Sequence, residues 1–369
     1  MRRGRRTILT GWIFAFGLLA NVCVYAGDNP LKIAGFASAG MITGDLDADL
    51  LMGSDIVSKS SRFGTDNTLG IHITAEMNEY VSFTGQLLAK GLIEAYSLEA
   101  HWAFIDFHPR HNLSIRGGRL VLPVQMGSEY VDVAYAYPWV RPPIEIYSGI
   151  PFTSYSGVDL LYTVKIGDSR LILQPFAGSV PPTESVGLSV DVESGFGVNA
   201  SLQFEYGMVK VNVAQIENVI ISSENIAAGI DLNLIAFGAD LEMGKFVFIT
   251  EYMKKAFDLS GLITYSDVNG DAWFLTLGYR MGNILPHITY SSAGSDVTQI
   301  ILLGVQFPTA PLVYKQHSIT LGVRYDILPR TALKIEFQQI HPQDESWGLF
   351  RQEPKEKVKL LSLVIDVTF

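Results

Sequence analysis

The chain has 369 residues, of which 48% are hydrophobic and 17% charged, with 37 acidic against 27 basic side chains and a single cysteine. The acidic balance argues against nucleic acid as a partner, and one cysteine excludes a disulfide framework or a zinc site built on paired cysteines. No phosphate loop or other cofactor motif is present, so we expect neither a cofactor nor a metal.

The first 26 residues have the features of a secretory signal peptide. Four arginines lie within Met1–Arg6, an apolar run covers Ile8–Ala20, and Val24–Ala26 supplies small residues for a signal peptidase. We expect cleavage after Ala26, which leaves residues 27–369 as the mature protein. That chain lacks cysteine and holds 23 basic residues (27 − 4) against 37 acidic ones, a net charge of −14.

The rest of the chain repeats one pattern, in which segments of about ten residues alternate apolar and polar side chains between turns that are alternately short and long. We predict sixteen strands: 31–41, 68–77, 81–91, 97–107, 113–121, 157–166, 170–178, 195–205, 208–217, 226–242, 246–256, 271–281, 286–292, 317–328, 331–341 and 358–369. Thr298–Phe307 is also apolar, but one extra strand would make the number odd, so we assign it to a structured seventh long connection. Fourteen and eighteen strands remain alternatives.

An even number of strands joined in this way predicts an all-β, antiparallel transmembrane barrel with periplasmic short turns and extracellular long loops. The alternation also predicts which side chains face the lumen. Charged residues fall on that face, and the candidates for the pore wall are Lys90, Arg116, Lys165 and Arg324. On the next strand the alternation places Lys334 and Glu336 on the lumen face as well, and Leu333 and Ile335 on the opposite face. A sixteen-stranded barrel is wide enough for an aqueous channel, so we expect a wet, charged lumen.

Three stretches carry a resemblance to a known family. They are Gly118–Glu145, Thr320–Glu336 and the final strand, which alternates apolar residues up to Phe369. Together they resemble a proteobacterial family within the outer-membrane porin superfamily. The Pro-Glu-Phe-Gly signature of the best-known general porins is absent, and so is a clear ladder of wall arginines.

The resemblance implies that the third extracellular loop, here 122–156, folds into the lumen and narrows the pore. Its candidate constriction residues are Glu129, Asp132, Arg141 and Glu145. Aromatic residues and prolines in the segment favour this reading over an external lid, which is the alternative. The acidic excess of the loop predicts a preference for cations over anions.

The implied function is passive diffusion of ions and small hydrophilic solutes through a channel in the cell outer membrane. The implied partners are outer-membrane lipid and lipopolysaccharide, the barrel-assembly machinery through Phe369, and two further copies in a homotrimer.

Three alternatives stay open. A substrate-specific channel for a sugar or small carboxylate would use an aromatic track, and a structural or adhesive barrel would transport nothing. A barrel hydrolase would need a histidine base, for which the candidates are His72, His101, His108 and His111. No Gly-x-Ser-x-Gly or His-Glu-x-x-His motif accompanies them, so we expect no enzyme.

Overall fold

The computed structural model describes the chain from residue 30 onward. It leaves out short stretches at 46–49, 53–54, 58–61, 92–95, 149, 151, 186–187, 224–225, 261–262, 267, 297–298, 303–304, 308–313, 344–345, 351–353 and 355–356. The expected signal peptide therefore lies outside the described residues. None of the helices in the described part is both long enough and apolar enough to cross a membrane.

Sixteen long strands form the wall of the molecule. They are β1 (Leu31–Gly44), β2 (Thr68–Glu76), β3 (Val81–Gly91), β4 (Tyr96–Arg110), β5 (Leu113–Val121), β6 (Ser154–Ile166), β7 (Ser169–Ser185), β8 (Leu188–Phe204), β9 (Gly207–Ser223), β10 (Ile226–Met243), β11 (Phe246–Ser260), β12 (Val268–Tyr279), β13 (Ile284–Asp296), β14 (Tyr314–Leu328), β15 (Thr331–Pro342) and β16 (Val358–Thr368).

Each strand pairs antiparallel with its neighbours in sequence, and the last pairs with the first. In that seam Ala37 lies opposite Val367 and Met41 opposite Leu363, so the sheet closes into a barrel. Closure gives every wall strand two neighbours, which a sheet in a membrane requires because lipid cannot bond to free backbone groups. The prediction of a closed barrel with sixteen strands is confirmed. A two-residue strand, Arg62–Phe63, pairs additionally with β1.

Several strands extend further than predicted. The prediction ended one strand at residue 178 and began the next at 195, whereas β7 runs to Ser185 and β8 begins at Leu188. The ladder continues there through register shifts near Val180, which break the alternation that the prediction relied on. The long connection around Thr298–Phe307 contains two short strands of a separate small sheet: Gln299–Leu302 pairs with Ile263–Ser266 on one side and with Val305–Phe307 on the other. Its assignment to a structured loop is confirmed.

The two faces of the wall differ as the alternation predicts. On β14, Leu321 and Val323 are 52% and 43% exposed, whereas Thr320 between β13 and β15 is 7% exposed and points inward. Leucine, isoleucine, valine and phenylalanine side chains are exposed in the same way around the circumference. An apolar outer surface of this extent requires a lipid covering, so the barrel spans a membrane.

Glycines of β1 allow the close approach of β16 in the seam, and Gly35 lies where the chain ends. Gly35 exchanges two backbone hydrogen bonds of 2.8 Å with Phe369, whose ring covers it on the outer face. A Cβ at Gly35 would meet that ring and lie 2.9 Å from the carbonyl oxygen of Gly70.

We expect Gly35→Ala to lower the free energy of unfolding by about 1–3 kcal/mol, because the added methyl group overpacks the seam. The measurement is urea-induced unfolding in lipid vesicles. The matched control is Gly85→Ala, where the nearest atom would be 3.5 Å away. Equal stability of the two variants would contradict this account of the seam.

Candidate functional site: a loop inside the barrel

The segment between β5 and β6 leaves the wall and lies inside the barrel. The hydrogen bond from the Leu122 amide to the Thr153 carbonyl, 2.9 Å long, closes its base. Within it are two 3₁₀ turns, Ser128–Tyr130 and Ala134–Ala136, and the short helix α1 (Ile144–Tyr147). We call residues 122–153 the inner loop.

Apolar contacts join the inner loop to opposite sides of the wall. Trp139 packs edge-on against Phe274 of β12 with ring centroids 5.3 Å apart, and its indole N–H donates to Thr276 and Thr289. Val133 belongs to a buried cluster with Phe36 and Leu88, on β1 and β3. Ile144 lies in another buried cluster, which includes residues of β1, β15 and β16. The loop is therefore packed across the lumen at this level.

Charged side chains of the wall complete the hydrogen bonds of the loop backbone. Lys334 Nζ donates to the carbonyl oxygens of Ala134 and Trp139 at 2.6 and 2.7 Å. Lys210 donates to the carbonyl of Gln125 at 2.9 Å. An irregular segment has no regular backbone hydrogen bonds of a sheet or helix, so its buried polar groups need such partners.

Carboxylates of the wall accept from the loop in the same way. The Met126 amide donates to Glu251 at 2.8 Å, and the Val140 amide donates to Glu336 at 2.9 Å. Both carboxylates are buried, with 1% and 4% exposure. Wall lysines therefore donate hydrogen bonds to loop carbonyls, and wall glutamates accept them from loop amides.

Each predicted constriction residue has a partner on the wall or in another loop. Glu129 pairs with Lys210 at 3.2 Å, and Asp132 pairs with Lys90 at 2.6 Å and with His101 at 3.2 Å. Arg141 makes a two-bond contact with Asp66 and a further bond to Ser362. Glu145 is 1% exposed and accepts hydrogen bonds from Ser291, Gln316 and Ser318. The structure places all four as anchors of the inner loop, with Glu145 sealed from solvent.

The four predicted wall residues separate into two groups. Lys90 and Arg324 contact the inner loop. Lys90 pairs with Asp132, whereas Arg324 donates to the carbonyls of Tyr135 and Tyr137 and also pairs with Asp326. Arg116 instead pairs with Asp159 on the neighbouring strand. Lys165 is exposed beside the turn that joins β6 to β7.

Sequence reasoning missed the role of Asp66, Lys210, Glu251, Lys334 and Glu336. Strand alternation placed Lys334 and Glu336 on the inner face but gave no partner for them. A usable signal lies in β11, where Glu251 stands between the inward apolar residues Ile249 and Met253. A charge flanked by buried apolar side chains on one face indicates a specific partner opposite.

The four histidines considered as bases do not form a common site. His72 packs edge-on against Trp102 with centroids 5.5 Å apart, and His101 lies beside Glu99 and Asp132. His108 lies near the opposite end of β4, and His111 lies in the turn after it. The described residues contain no cluster of histidine, cysteine and acidic side chains that would hold a metal.

Comparison with known proteins gives a fold. No family model and no curated protein matches the chain. Among solved structures, OmpT of Vibrio cholerae, an outer-membrane protein, is 9% identical with a TM-score of 0.60, and the match covers 93% of this chain and 99% of that one. An anion-selective porin from Comamonas acidovorans is 15% identical at 0.58, covering 92% and 99%. The chain has the sixteen-stranded porin fold. The outer-membrane channel DcaP of Acinetobacter baumannii is similar to it too, at 13% identity and 0.59, covering 92% and 97%.

The anchoring by Lys334 is open to a direct test. Its ammonium is fully buried and pairs with Asp366 at 2.9 Å as well as with the two loop carbonyls. We expect Lys334→Met to lower the free energy of unfolding by about 3–5 kcal/mol, because a buried carboxylate and two carbonyls lose their partner. Urea unfolding in vesicles measures it, and Lys165→Met is the control, since Lys165 is exposed.

A second variant separates the two contributions. Lys334→Met combined with Asp366→Leu removes the buried charge pair completely, so any remaining loss reports the uncapped carbonyls of Ala134 and Trp139. Wild-type stability in this double variant would show that the lysine does not hold the loop.

The contact of Asp132 predicts a pH dependence. Burial alone raises the pKa of the Asp132 carboxyl, but the charges of Lys90 and His101 and the hydrogen bond from Lys90 outweigh it and hold the pKa below the ordinary value of 3.8. A carboxyl with a lowered folded pKa stabilises the protein above its unfolded pKa, and that contribution disappears as the pH falls through the folded pKa.

We therefore expect the wild-type protein to be more stable than Asp132→Asn between about pH 5 and pH 7, and the difference to shrink below about pH 4. The measurement is the urea midpoint of both proteins across this range. A difference that does not shrink below about pH 4 would show that the ion pair does not contribute as the geometry indicates.

Proposed function

We propose that the protein is an outer-membrane channel of the porin type, through which ions and small hydrophilic solutes diffuse passively. One observation carries the proposal: a closed sixteen-stranded barrel with an apolar outer surface holds a loop across its interior. A barrel of this width has room for water beside one loop, whereas smaller barrels are filled by side chains. The inner loop would then set the diameter of the passage.

The polar groups left partly exposed on the inner loop would meet the solute. Glu129, Asp132 and Arg141 keep 14%, 8% and 14% of their side-chain surface accessible. Arg141, Lys90 and Lys210 are each neutralised by an acidic partner. Glu145 and Glu251 are each 1% exposed, so neither would meet the solute. The two partly exposed carboxylates of the loop, against its one guanidinium, support a preference for cations.

A channel specific for a sugar is less well supported. The aromatic track would consist of Tyr135, Tyr137, Trp139 and Tyr147, but Tyr137 and Trp139 are 6% and 5% exposed. Trp139 also commits its indole N–H to two wall threonines. Rings held in this way offer little surface on which a sugar would stack within the passage.

Localisation and partners follow from the same proposal. The protein would be exported through a signal peptide cleaved after Ala26 and inserted by the barrel-assembly machinery, which would read the last strand up to Phe369. It would contact lipid and lipopolysaccharide in the outer membrane and form a homotrimer. No catalytic activity is part of this proposal.

The test is single-channel recording of the refolded mature protein in a planar bilayer. We expect discrete conductance steps and a reversal potential, under a potassium chloride gradient, of the sign that cations produce. Asp132→Asn should reduce that potential, whereas Asp168→Asn, in the turn between β6 and β7, should leave it unchanged. Silence from a demonstrably folded barrel would refute the open channel and favour a structural or adhesive role.

A further inference from the structure

Two histidines lie side by side on the outer face of the wall. His317 of β14 stands opposite His341 of β15 in the sheet register, and their ring centroids are 4.7 Å apart. His317 points outward because its neighbours Gln316 and Ser318, both 0% exposed, point inward and donate to Glu145 of the inner loop. Both histidines lie close to the strand ends that join the long connections.

Each ring has a nitrogen without a partner. Nδ1 of His317 and Nε2 of His341 are buried, and neither makes a hydrogen bond within the part of the chain that the structure describes. Buried polar atoms without a partner are uncommon in folded proteins and call for an explanation such as a bound ion or water. No local motif marks the pair, because the two residues lie 24 positions apart (341 − 317) on separate strands.

Neighbouring aromatic rings hold the pair in place. Tyr290 of β13 stacks on His317, with ring centroids 5.8 Å apart and planes inclined by 17°. Trp273 of β12 packs against Tyr290 in turn, with centroids 5.3 Å apart. Rings that are fixed in this way lose little conformational entropy when they bind a ligand.

The separation of the two rings matches that of imidazoles that share one metal ion. With zinc–nitrogen bonds of about 2.0–2.1 Å and a ligand angle of about 90–110°, the two ring centroids lie about 4.5–5.2 Å apart. The separation of 4.7 Å between His317 and His341 falls within this range. Imidazole nitrogen suits zinc, copper and nickel, whereas magnesium and calcium prefer oxygen ligands.

The surroundings of the pair limit its affinity. Lys357, which precedes β16, lies close enough to His341 to act on its charge. Lys357 is exposed, so water and salt screen its repulsion of a bound cation. The pair is also smaller than a cluster of three or more ligands, and of such clusters the described residues contain none. We therefore expect an ion that exchanges with the solvent.

We propose that His317 and His341 form a two-ligand binding site for a transition-metal ion such as zinc, copper or nickel, in which water occupies the remaining coordination positions. The ion would join β14 to β15 near the ends that carry the long connections. The site goes beyond the proposed function, because both rings face away from the lumen and their metal binding does not require an open channel.

The first experiment measures metal binding directly. Zinc chloride is titrated into the folded mature barrel in detergent, with magnesium chloride as the comparison, and the heat of binding is followed by calorimetry. We expect saturable binding of zinc and at least tenfold weaker binding of magnesium, which prefers oxygen ligands. Equal binding of the two ions, or no binding of zinc, would overturn the proposal.

Variants of the two histidines show whether they share one ion. His317→Asn and His341→Asn should each weaken zinc binding at least tenfold, because a single imidazole remains. Were each ring to bind its own ion, each variant would keep one zinc ion at the wild-type affinity, and the shared site would be refuted. His111→Asn, in the turn after β4, is the matched control and should bind zinc like the wild type. Zinc binding that disappears in this control and persists in the other two variants would place the ion in that turn and refute the site.

Unfolding experiments test the link between the two strands. A ligand that binds the folded state alone stabilises it, so zinc should raise the urea midpoint of the wild type in lipid vesicles, and EDTA should reverse the rise. His317→Asn and His341→Asn should show no such rise, and a rise as large as that of the wild type would show that zinc acts elsewhere. Channel recordings in EDTA test the proposed function separately, since silence there would refute the channel and leave the metal site standing.

Discussion

The structure depends on one constraint: a polypeptide inside a membrane must satisfy its backbone hydrogen bonds within the protein. The wall meets this constraint by closing β16 onto β1. The inner loop has no ladder and meets it with side chains from the wall, as when Lys334 caps the carbonyls of Ala134 and Trp139 and Glu251 caps the amide of Met126. The position of the loop is therefore encoded in strands that lie far from it in sequence.

This constraint changes the character of the lumen. The sequence analysis expected a wet interior lined by charges, but many charged side chains on the inner face are buried beneath the loop, and apolar ones such as Leu234 and Phe274 pack beside them. Lysines and glutamates used as anchors are not available to select solutes. In the proposed channel, selectivity would then come from the groups that keep some exposure, which are fewer than the lumen-facing residues that alternation identifies.

Alternation predicts on which face of the wall a side chain lies. It does not predict how far along the barrel axis the residue lies, or which residues it contacts. It assigned Lys165 and Lys334 equally to the inner face. In the structure Lys165 lies exposed beside a turn, whereas Lys334 is fully buried against the loop. The difference depends on how far each residue lies from the end of its strand and on where the loop crosses, and both require the three-dimensional register. The closed barrel and its strand number were predictable because a period of two is local, while the contact of Arg141 with Asp66 spans 75 residues of sequence.

The anchors also fix the aromatic side chains of the inner loop. Trp139 donates to two threonines of the wall, and Tyr147 donates to Glu251. A shift of the loop away from β11, β12 or β13 would therefore leave buried polar groups without partners, which is unfavourable. The same hydrogen bonds that satisfy the loop backbone thus hold its aromatic rings in place, and in the proposed channel they would set the width of the passage beside the loop.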